Sequence, residues 1–184
     1  MQDVLDQLTR VLQPHVTDTL TSNTDLDADT ASQAVPAVAR PLFDGLAGAL
    51  DNPQDNLGAL VSLYQMLDAD DQPTTPEDAS PASSGDEVLT LVESLLDGSL
   101  GDLVNQVATS LGIAPETADT VVRVVVPKTF AVLRGTTQEK GFDHLLRLVL
   151  DDEADQKVDT VLRIIRGADQ AGSLMKGLGG LFGK

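Results

Sequence analysis

The sequence predicts an all-α protein in which two related helical units, produced by internal duplication, form a helical bundle. Apolar residues recur at helical spacing through most of the chain, and no hairpin signal interrupts them. Apolar residues make up 41% of the sequence and aromatic residues only 3%, so the core consists mainly of Leu, Val and Ala. Such a core suits helix packing better than a β-sandwich. An acidic surface, a flexible acidic linker and a glycine-rich C-terminal tail complete the predicted architecture.

The charge of the chain disfavours two classes of partner. The formal net charge is −17, which repels nucleic acid and anionic lipid at long range. The same composition is typical of proteins from salt-adapted organisms, although ordinary solubility charge also accounts for it. We expect a cytoplasmic protein, because the start of the sequence lacks the pattern of a signal peptide and no apolar run reaches the ~20 residues of a membrane span.

Cysteine is absent from the chain. This absence excludes disulfides, thiolate metal sites and cysteine nucleophiles, and it leaves the redox compartment open.

One change of composition divides the chain. Residues 69–86 are rich in Pro, Ser and acidic residues and contain no basic or large apolar residue. Such a stretch buries too little apolar surface to fold by itself, so we interpret it as a flexible linker. The predicted organisation is a first helical repeat at 1–68, the linker at 69–86, a second helical repeat at 87–167 and a glycine-rich apolar tail at 168–184.

Helices are predicted along both repeats from the spacing of their apolar residues. The first repeat contains them at 3–12 and 56–67. The second repeat contains them at 86–96, 99–111, 141–150 and 158–167.

The stretch "IAPETADTVVRVVVPKTFAVLRG" at 113–135 is compatible with either a strand or a helix, because five valines fall within 121–126. Gly112 suits the end of a preceding helix, and Pro115 suits the first turn of a new one. Ala114 is a weak capping residue. A lone strand would have no partner for its backbone hydrogen bonds, so we predict a helix that Pro127 kinks or ends.

A similar stretch lies 86 residues earlier, at 26–48, which predicts the duplication. The matching pairs are Val35 with Val121, Val38 with Val124, Pro41 with Pro127 and, after a shift of one residue, Phe43 with Phe130, Leu46 with Leu133 and Gly48 with Gly135. Residues 56–63 then match 141–148. The two units form either two bundles or one pseudo-symmetric bundle.

The segment "LVNQVATSLGIAPETADTVVRVVVPKTFAVLRGTTQEKGFDHLLRLVL" at 103–150 resembles the YidB-like bacterial family, domain of unknown function 937. "NPQDNLGALVSL" is its counterpart in the first repeat, and the closing "GLGGLFGK" is similar to the glycine-rich tail of the family. The chain departs from the family in its acidity and at Pro36, which interrupts the first copy of the helix. The resemblance implies an all-helical bundle and brings no activity or catalytic residue.

Two acidic motifs imitate functional sites. Asp25, Asp27 and Asp29 in "DLDADT" imitate half of a calcium loop, which also needs Gly at its sixth position and Glu at its twelfth; Thr30 and Pro36 stand there instead. Helix capping explains these residues better. "DDEAD" at 151–155 has the letters of a helicase motif, but the sequence contains no phosphate-binding loop.

The sequence predicts no catalytic, cofactor-binding or metal-binding residue, no cofactor and no enzymatic activity. The only histidines, His15 and His144, have no partner at ligand or triad spacing. A DNA-binding regulator is one alternative, because residues 107–123 scan as a helix-turn-helix. Its second helix offers only Thr117, Asp119, Thr120 and Arg123 among valines, so we expect no nucleic-acid partner.

The tail at 168–184 carries an apolar stripe at helical spacing, formed by Leu174, Met175, Leu178, Leu181 and Phe182. Its five glycines oppose a helix, so it is either a frayed terminus or a segment that orders on docking. We therefore expect a non-catalytic interaction or scaffold protein that binds a protein partner or itself through helix faces. The alternative is a peripheral membrane protein that uses this tail.

Overall fold

The computed structural model describes residues 2–69, 73–79, 81–96, 99–150 and 157–167. These residues form eight helices that pack as a bundle, and they contain no strand. The all-α prediction is therefore confirmed. No helix in this part of the chain combines the length and the apolar character that a bilayer crossing requires.

The helices follow one another with short connections. They are α1 (Gln2–Asn23), α2 (Ala28–Asp51), α3 (Leu57–Asp68), α4 (Pro81–Leu95), α5 (Leu100–Leu111), α6 (Pro115–Lys140), α7 (Phe142–Leu150) and α8 (157–167).

Helix α6 is the centre of the bundle, because it packs against α1, α2, α3, α4, α5 and α7. Being surrounded in this way, it buries side chains on nearly its whole circumference rather than on one stripe. The valine run lies in this helix, and all five valines are buried. The helical interpretation of Val121–Val126 is confirmed, and its run of consecutive apolar residues reflects burial on all sides.

The proline residues do not end their helices. α6 continues through Pro127 to Lys140. The expectation that Pro36 interrupts the first copy is wrong, because α2 continues through both Pro36 and Pro41. Proline removes one backbone hydrogen bond, but the buried face of α2 holds the helix in place. That face consists of Ala31, Ala34, Val35, Val38, Ala39, Phe43, Leu46, Ala49 and Leu50.

The helix ends agree with the local sequence. Gly112 adopts a left-handed conformation (φ 64°) after α5, and its N–H donates to the carbonyl of Ala108. Ala114 precedes α6 without a side-chain capping bond, as its weak capping character predicts. Ser99 and Asp102 cap α5 reciprocally, since each side chain accepts a hydrogen bond from the backbone N–H of the other residue.

Helices of both predicted repeats share one apolar core. Phe43, Phe130 and Phe142 are buried in it. Tyr64 on α3 lies edge-on to Phe142 on α7, with ring centroids 5.2 Å apart. The three phenylalanines are core residues, and the partly buried Tyr64 packs the first predicted repeat against the second.

Residues 73–79, which we call the crossing segment, pack across α6 within the predicted linker. Pro76 and Ala79 are buried. The carbonyl of Pro76 accepts a hydrogen bond of 2.7 Å from Nζ of Lys128. Pro81, also within 69–86, already begins α4. Composition does not reveal these contacts between the crossing segment and α6. The linker at 69–86 and the four-part division of the chain stay predictions.

The glycines Gly48 and Gly135, which correspond in the predicted repeats, have different surroundings. A Cβ atom on Gly135 would lie 2.9 Å from the backbone oxygen of Thr74 in the crossing segment, whereas one on Gly48 would meet nothing within 4 Å. We expect Gly48→Ala to raise the free energy of unfolding by about 0.5–1 kcal/mol, because alanine favours a helix. The free energy of unfolding of Gly135→Ala should be about 1–3 kcal/mol lower than that of Gly48→Ala, since the backbone at Thr74 must move to make room for the new Cβ atom.

Urea unfolding followed by circular dichroism at 222 nm measures both variants. Equal stabilisation by the two substitutions would contradict the placement of the crossing segment.

Candidate binding groove between helices α1, α2 and α5

A groove lies between α1, α2 and α5, with a volume of about 610 Å³. This volume falls within the range of about 300–1,000 Å³ that ligand-binding clefts occupy. Its lining residues are Leu5, Asp6 and Thr9 from α1, Gln33, Pro36, Ala37, Arg40, Pro41 and Asp44 from α2, and Gln106, Ser110 and Leu111 from α5.

The groove continues along α2 and α5 into a second cavity of about 320 Å³. Pro41, Asp44 and Gln106 line both cavities. The second cavity extends to Ser99 and Asp102 at the start of α5. The two cavities therefore form one elongated groove rather than two separate sites.

Short side chains on α2 keep this groove open. Its α2 surface includes Pro36, Ala37, Pro41 and Gly45, none of which projects far from the helix. On α5, Leu103 lines the second cavity from its place in the core, whereas Val107 is fully buried and lines neither cavity. At Gly45 the side chain of Leu96 packs against α2, since an added Cβ would lie 2.8 Å from Cδ2 of Leu96. The short side chains therefore open the groove mainly between Pro36 and Pro41.

Two backbone carbonyls of α2 lack their usual helical donor. In an α-helix the N–H of residue i donates to the carbonyl of residue i−4, and proline has no N–H. Pro41 therefore provides no donor for the carbonyl of Ala37, and Pro36 provides none for that of Ser32. Ala37 and both prolines line the groove. Ala37, whose carbonyl lacks its helical donor, is thus one of the residues that line the groove.

The charged groups of the groove are mostly anionic. Asp6 and Asp44 are exposed, and Arg40 is the cation beside them. At the far end, the backbone N–H of Ser99 donates to Oδ2 of Asp102 at 2.9 Å. This hydrogen bond, with a second from the Ser99 hydroxyl, lowers the pKa of Asp102, which therefore stays ionised and adds a fixed negative charge.

The arrangement favours a ligand that donates hydrogen bonds and carries positive charge. Carboxylates and a proline-exposed carbonyl accept hydrogen bonds from Lys or Arg side chains. Leu5, Leu111 and the prolines provide apolar contacts on either side. Chemically, the groove suits a basic and partly apolar segment.

The two histidines lie at different places. Nε2 of half-buried His15 is 3.5 Å from Oε1 of Glu77 in the crossing segment. His144 lines a smaller cavity of about 170 Å³ between α1, α6 and α7, together with the exposed Val11. Neither histidine lines the groove.

The acidic motif before α2 has a structural role. Asp27 is the N-cap of α2, and its side chain accepts a hydrogen bond of 2.8 Å from the backbone N–H of Thr30. This contact lowers the pKa of Asp27. The capping interpretation is confirmed for this residue. Among the described residues, no group of side chains is placed to hold a metal ion.

Helix α6 contains the polar residues of the second helix in the predicted helix-turn-helix, which are Thr117, Asp119, Thr120 and Arg123. Nε of Arg123 donates to Oδ2 of Asp119 at 2.7 Å, so the one cation of that stretch is paired within its own helix. The valines beside it are buried in the core.

Two further motifs lie outside the described residues. They are "DDEAD" at 151–155 and the tail residues Leu174, Met175, Leu178, Leu181 and Phe182.

Sequence reasoning missed the groove and the buried cations of α6. Lys128 is only 6% exposed and Arg134 only 2%. The position of Lys128 among the valines of one helix face was the available signal for its burial. Burial lowers its pKa, and the charge of Glu77 opposes that change in part. For the groove, the signal was the pair of prolines within a helical pattern.

Comparisons with known proteins place the second half of the chain in a family. A family model described as a bacterial protein of unknown function, DUF937, matches residues 93–184. The matched part begins within α4 and includes α5, which forms one side of the groove. Neither the curated proteins nor the solved structures contain a match to the chain.

Lys128 predicts a pH dependence of stability. Its pKa in the folded state lies below the unfolded value of about 10.4. Between these two values the unfolded chain binds more protons at this residue, so the free energy of unfolding rises with pH in that window. We expect the stability of the native sequence relative to Lys128→Met to rise across the window and to be constant below it.

Urea unfolding of both proteins over a pH series measures the difference. A difference that falls as pH approaches about 10.4 would contradict the desolvation of Lys128.

Proposed function

The chain belongs to the bacterial DUF937 family, and we propose that it is a non-catalytic helical interaction protein that binds a protein segment in the groove between α1, α2 and α5. One observation carries this proposal. Pro41 deprives the carbonyl of Ala37 of its helical donor at the point where the groove runs between Asp6 and Asp44. A partner that donates hydrogen bonds there replaces a bond that the helix cannot make.

The chemistry of the partner follows from these acceptors. A segment that carries Lys or Arg between apolar residues satisfies the carbonyl and the carboxylates and also covers Leu5 and Leu111. The net charge of −17 attracts such a segment from a distance and repels an acidic one. Protein, rather than nucleic acid, is the partner that this complementarity favours.

The position of α6 argues against a DNA-binding role. A recognition helix must project from its domain to enter the major groove. α6 packs against six other helices, and Arg123 is held by Asp119. The polar residues that remain exposed on this helix are too few for phosphate and base contacts.

The residues of the groove favour binding over catalysis. The described residues that line it include no histidine, cysteine, lysine or tyrosine. The hydroxyls of Thr9 and Ser110 therefore have no imidazole or amine beside them to act as a base.

Internal duplication accounts for the order of the helices. A long helix that contains proline is followed by a shorter one in each half, as α2 and α3 and again as α6 and α7. In both halves a helix of the bundle precedes the long one across a short turn. On this account the groove forms where the first copy meets α5 of the second.

The proposal predicts the effect of removing one carboxylate from the groove. Asp6→Asn should weaken the binding of a labelled amphipathic Leu/Lys peptide by about 2–5-fold, since it removes one exposed ionic contact. Asp18→Asn is the matched control, because Asp18 is exposed on the same helix but lies outside the groove. Both variants change the net charge equally, so unspecific attraction affects both alike.

Fluorescence anisotropy in moderate salt measures the two dissociation constants. Equal weakening by Asp6→Asn and Asp18→Asn would show that the peptide follows net charge alone, and the groove would then lose its proposed role.

A further inference from the structure

The tail, residues 168–184, has the chemistry that the groove requires. It contains Lys176 and Lys184 against a single acidic residue, Asp169. The rest of the chain carries the opposite charge, and its net value is strongly negative. The tail is therefore a cationic stretch on the same molecule as an acceptor-rich groove.

The apolar residues of the tail match the other requirement of the groove. Leu174, Leu178, Leu181 and Phe182 recur at the spacing of a helix face, with Lys176 between the first two. The glycines between them allow the backbone to approach a surface closely. Pro36 and Pro41 offer such a surface on α2, because Pro36 is exposed, Pro41 is half-buried and neither side chain projects far from the helix.

The connection of the tail to the bundle allows this contact. α8 begins beside the end of α2, where Nζ of Lys157 lies 2.9 Å from Oδ1 of Asp51. Gly45 of the groove lies six residues earlier on α2, a rise of about 9 Å. Lys176 lies nine residues beyond the end of α8 at residue 167, a span of up to roughly 30 Å when extended. A return along α8 and then along α2 to Asp44 covers about 26 Å at the rise of a helix, so Lys176 can reach the groove.

A tethered segment also has an advantage over a free one. A short flexible connection gives an effective concentration on the order of millimolar. A tail on the same chain therefore occupies the groove ahead of a second copy at ordinary protein concentrations.

We propose that residues 168–184 dock in the groove between α1, α2 and α5 of their own chain, so that an external partner must displace the tail before it binds. This inference rests on the proposed function, because it names the resident occupant of the same groove. Lys176 donates to the acceptors between Asp6 and Asp44, and the leucines cover the apolar flanks.

The absence of native cysteine makes disulfide cross-linking a direct test in the full chain. Gln106 lines both cavities and is exposed, so Gln106→Cys combined with Gly180→Cys reports contact between the groove and the tail. Ser62→Cys combined with Gly180→Cys is the control, because Ser62 is exposed on α3 and lies outside the groove. We expect the groove pair to form an intramolecular disulfide at least about fivefold faster than the control pair.

A second measurement separates this inference from the proposed function. The double variant Leu178→Ser with Phe182→Ser leaves the net charge unchanged but weakens a docked tail. We expect it to bind the Leu/Lys peptide about 3–10-fold more tightly than the native chain does, because the competitor is gone.

The outcomes distinguish the alternatives. Disulfide-linked dimers from the groove pair would overturn docking within one chain, since the occupant would then be the tail of a second copy. Equal disulfide rates for the groove pair and the control pair would overturn tail docking altogether. The same conclusion holds if the rates are equal and the native chain sediments with anionic vesicles in a way that requires Leu178 and Phe182. Preserved sensitivity to Asp6→Asn with no effect of the tail variant would overturn only this inference and leave the groove as a binding site.

Discussion

The three longest helices of the bundle each contain proline, and the fold depends on apolar burial to hold them together. A proline in a helix interior costs about 3 kcal/mol or more, through the missing hydrogen bond and the steric conflict with the preceding turn. Complete burial of one Val or Leu side chain contributes about 1.5–3 kcal/mol. α6 buries five valines in the run before Pro127, and α2 buries residues on both sides of its two prolines. Burial therefore exceeds the cost, and the helices continue.

The same constraint connects the fold to the groove. Wherever proline replaces a donor, the carbonyl one turn earlier needs another partner. At Pro127 that carbonyl belongs to Arg123, and Pro127 itself is buried in the core. At Pro41 the carbonyl belongs to Ala37, which lines the groove. In the proposed function a ligand competes with water for this acceptor, so that a structural cost of α2 serves binding.

Much of the fold follows from the sequence because its signals are local. The spacing of Leu and Val predicts the helices, Gly112 predicts the end of α5, and the absence of a strand partner decides the valine run in favour of α6. The position of the crossing segment could not be predicted, because its contact with α6 is a hydrogen bond from Nζ of Lys128 to the carbonyl of Pro76, fifty-two residues away in the chain. The groove could not be predicted from the sequence either, since it requires α1 and α5 to approach α2 from positions that no local pattern specifies. Its prolines were visible, but only as helix breakers.

Pro41→Ala tests the link between the missing donor and binding most directly. Alanine restores an N–H that can donate to the carbonyl of Ala37, and it changes no charge. The account predicts that the new amide is protected from hydrogen exchange, that the free energy of unfolding rises, and that the Leu/Lys peptide binds about 2–5-fold more weakly, since it loses one hydrogen-bond acceptor. Unchanged peptide affinity alongside a protected amide at position 41 would contradict the claim that a proline-exposed carbonyl makes this groove a binding site.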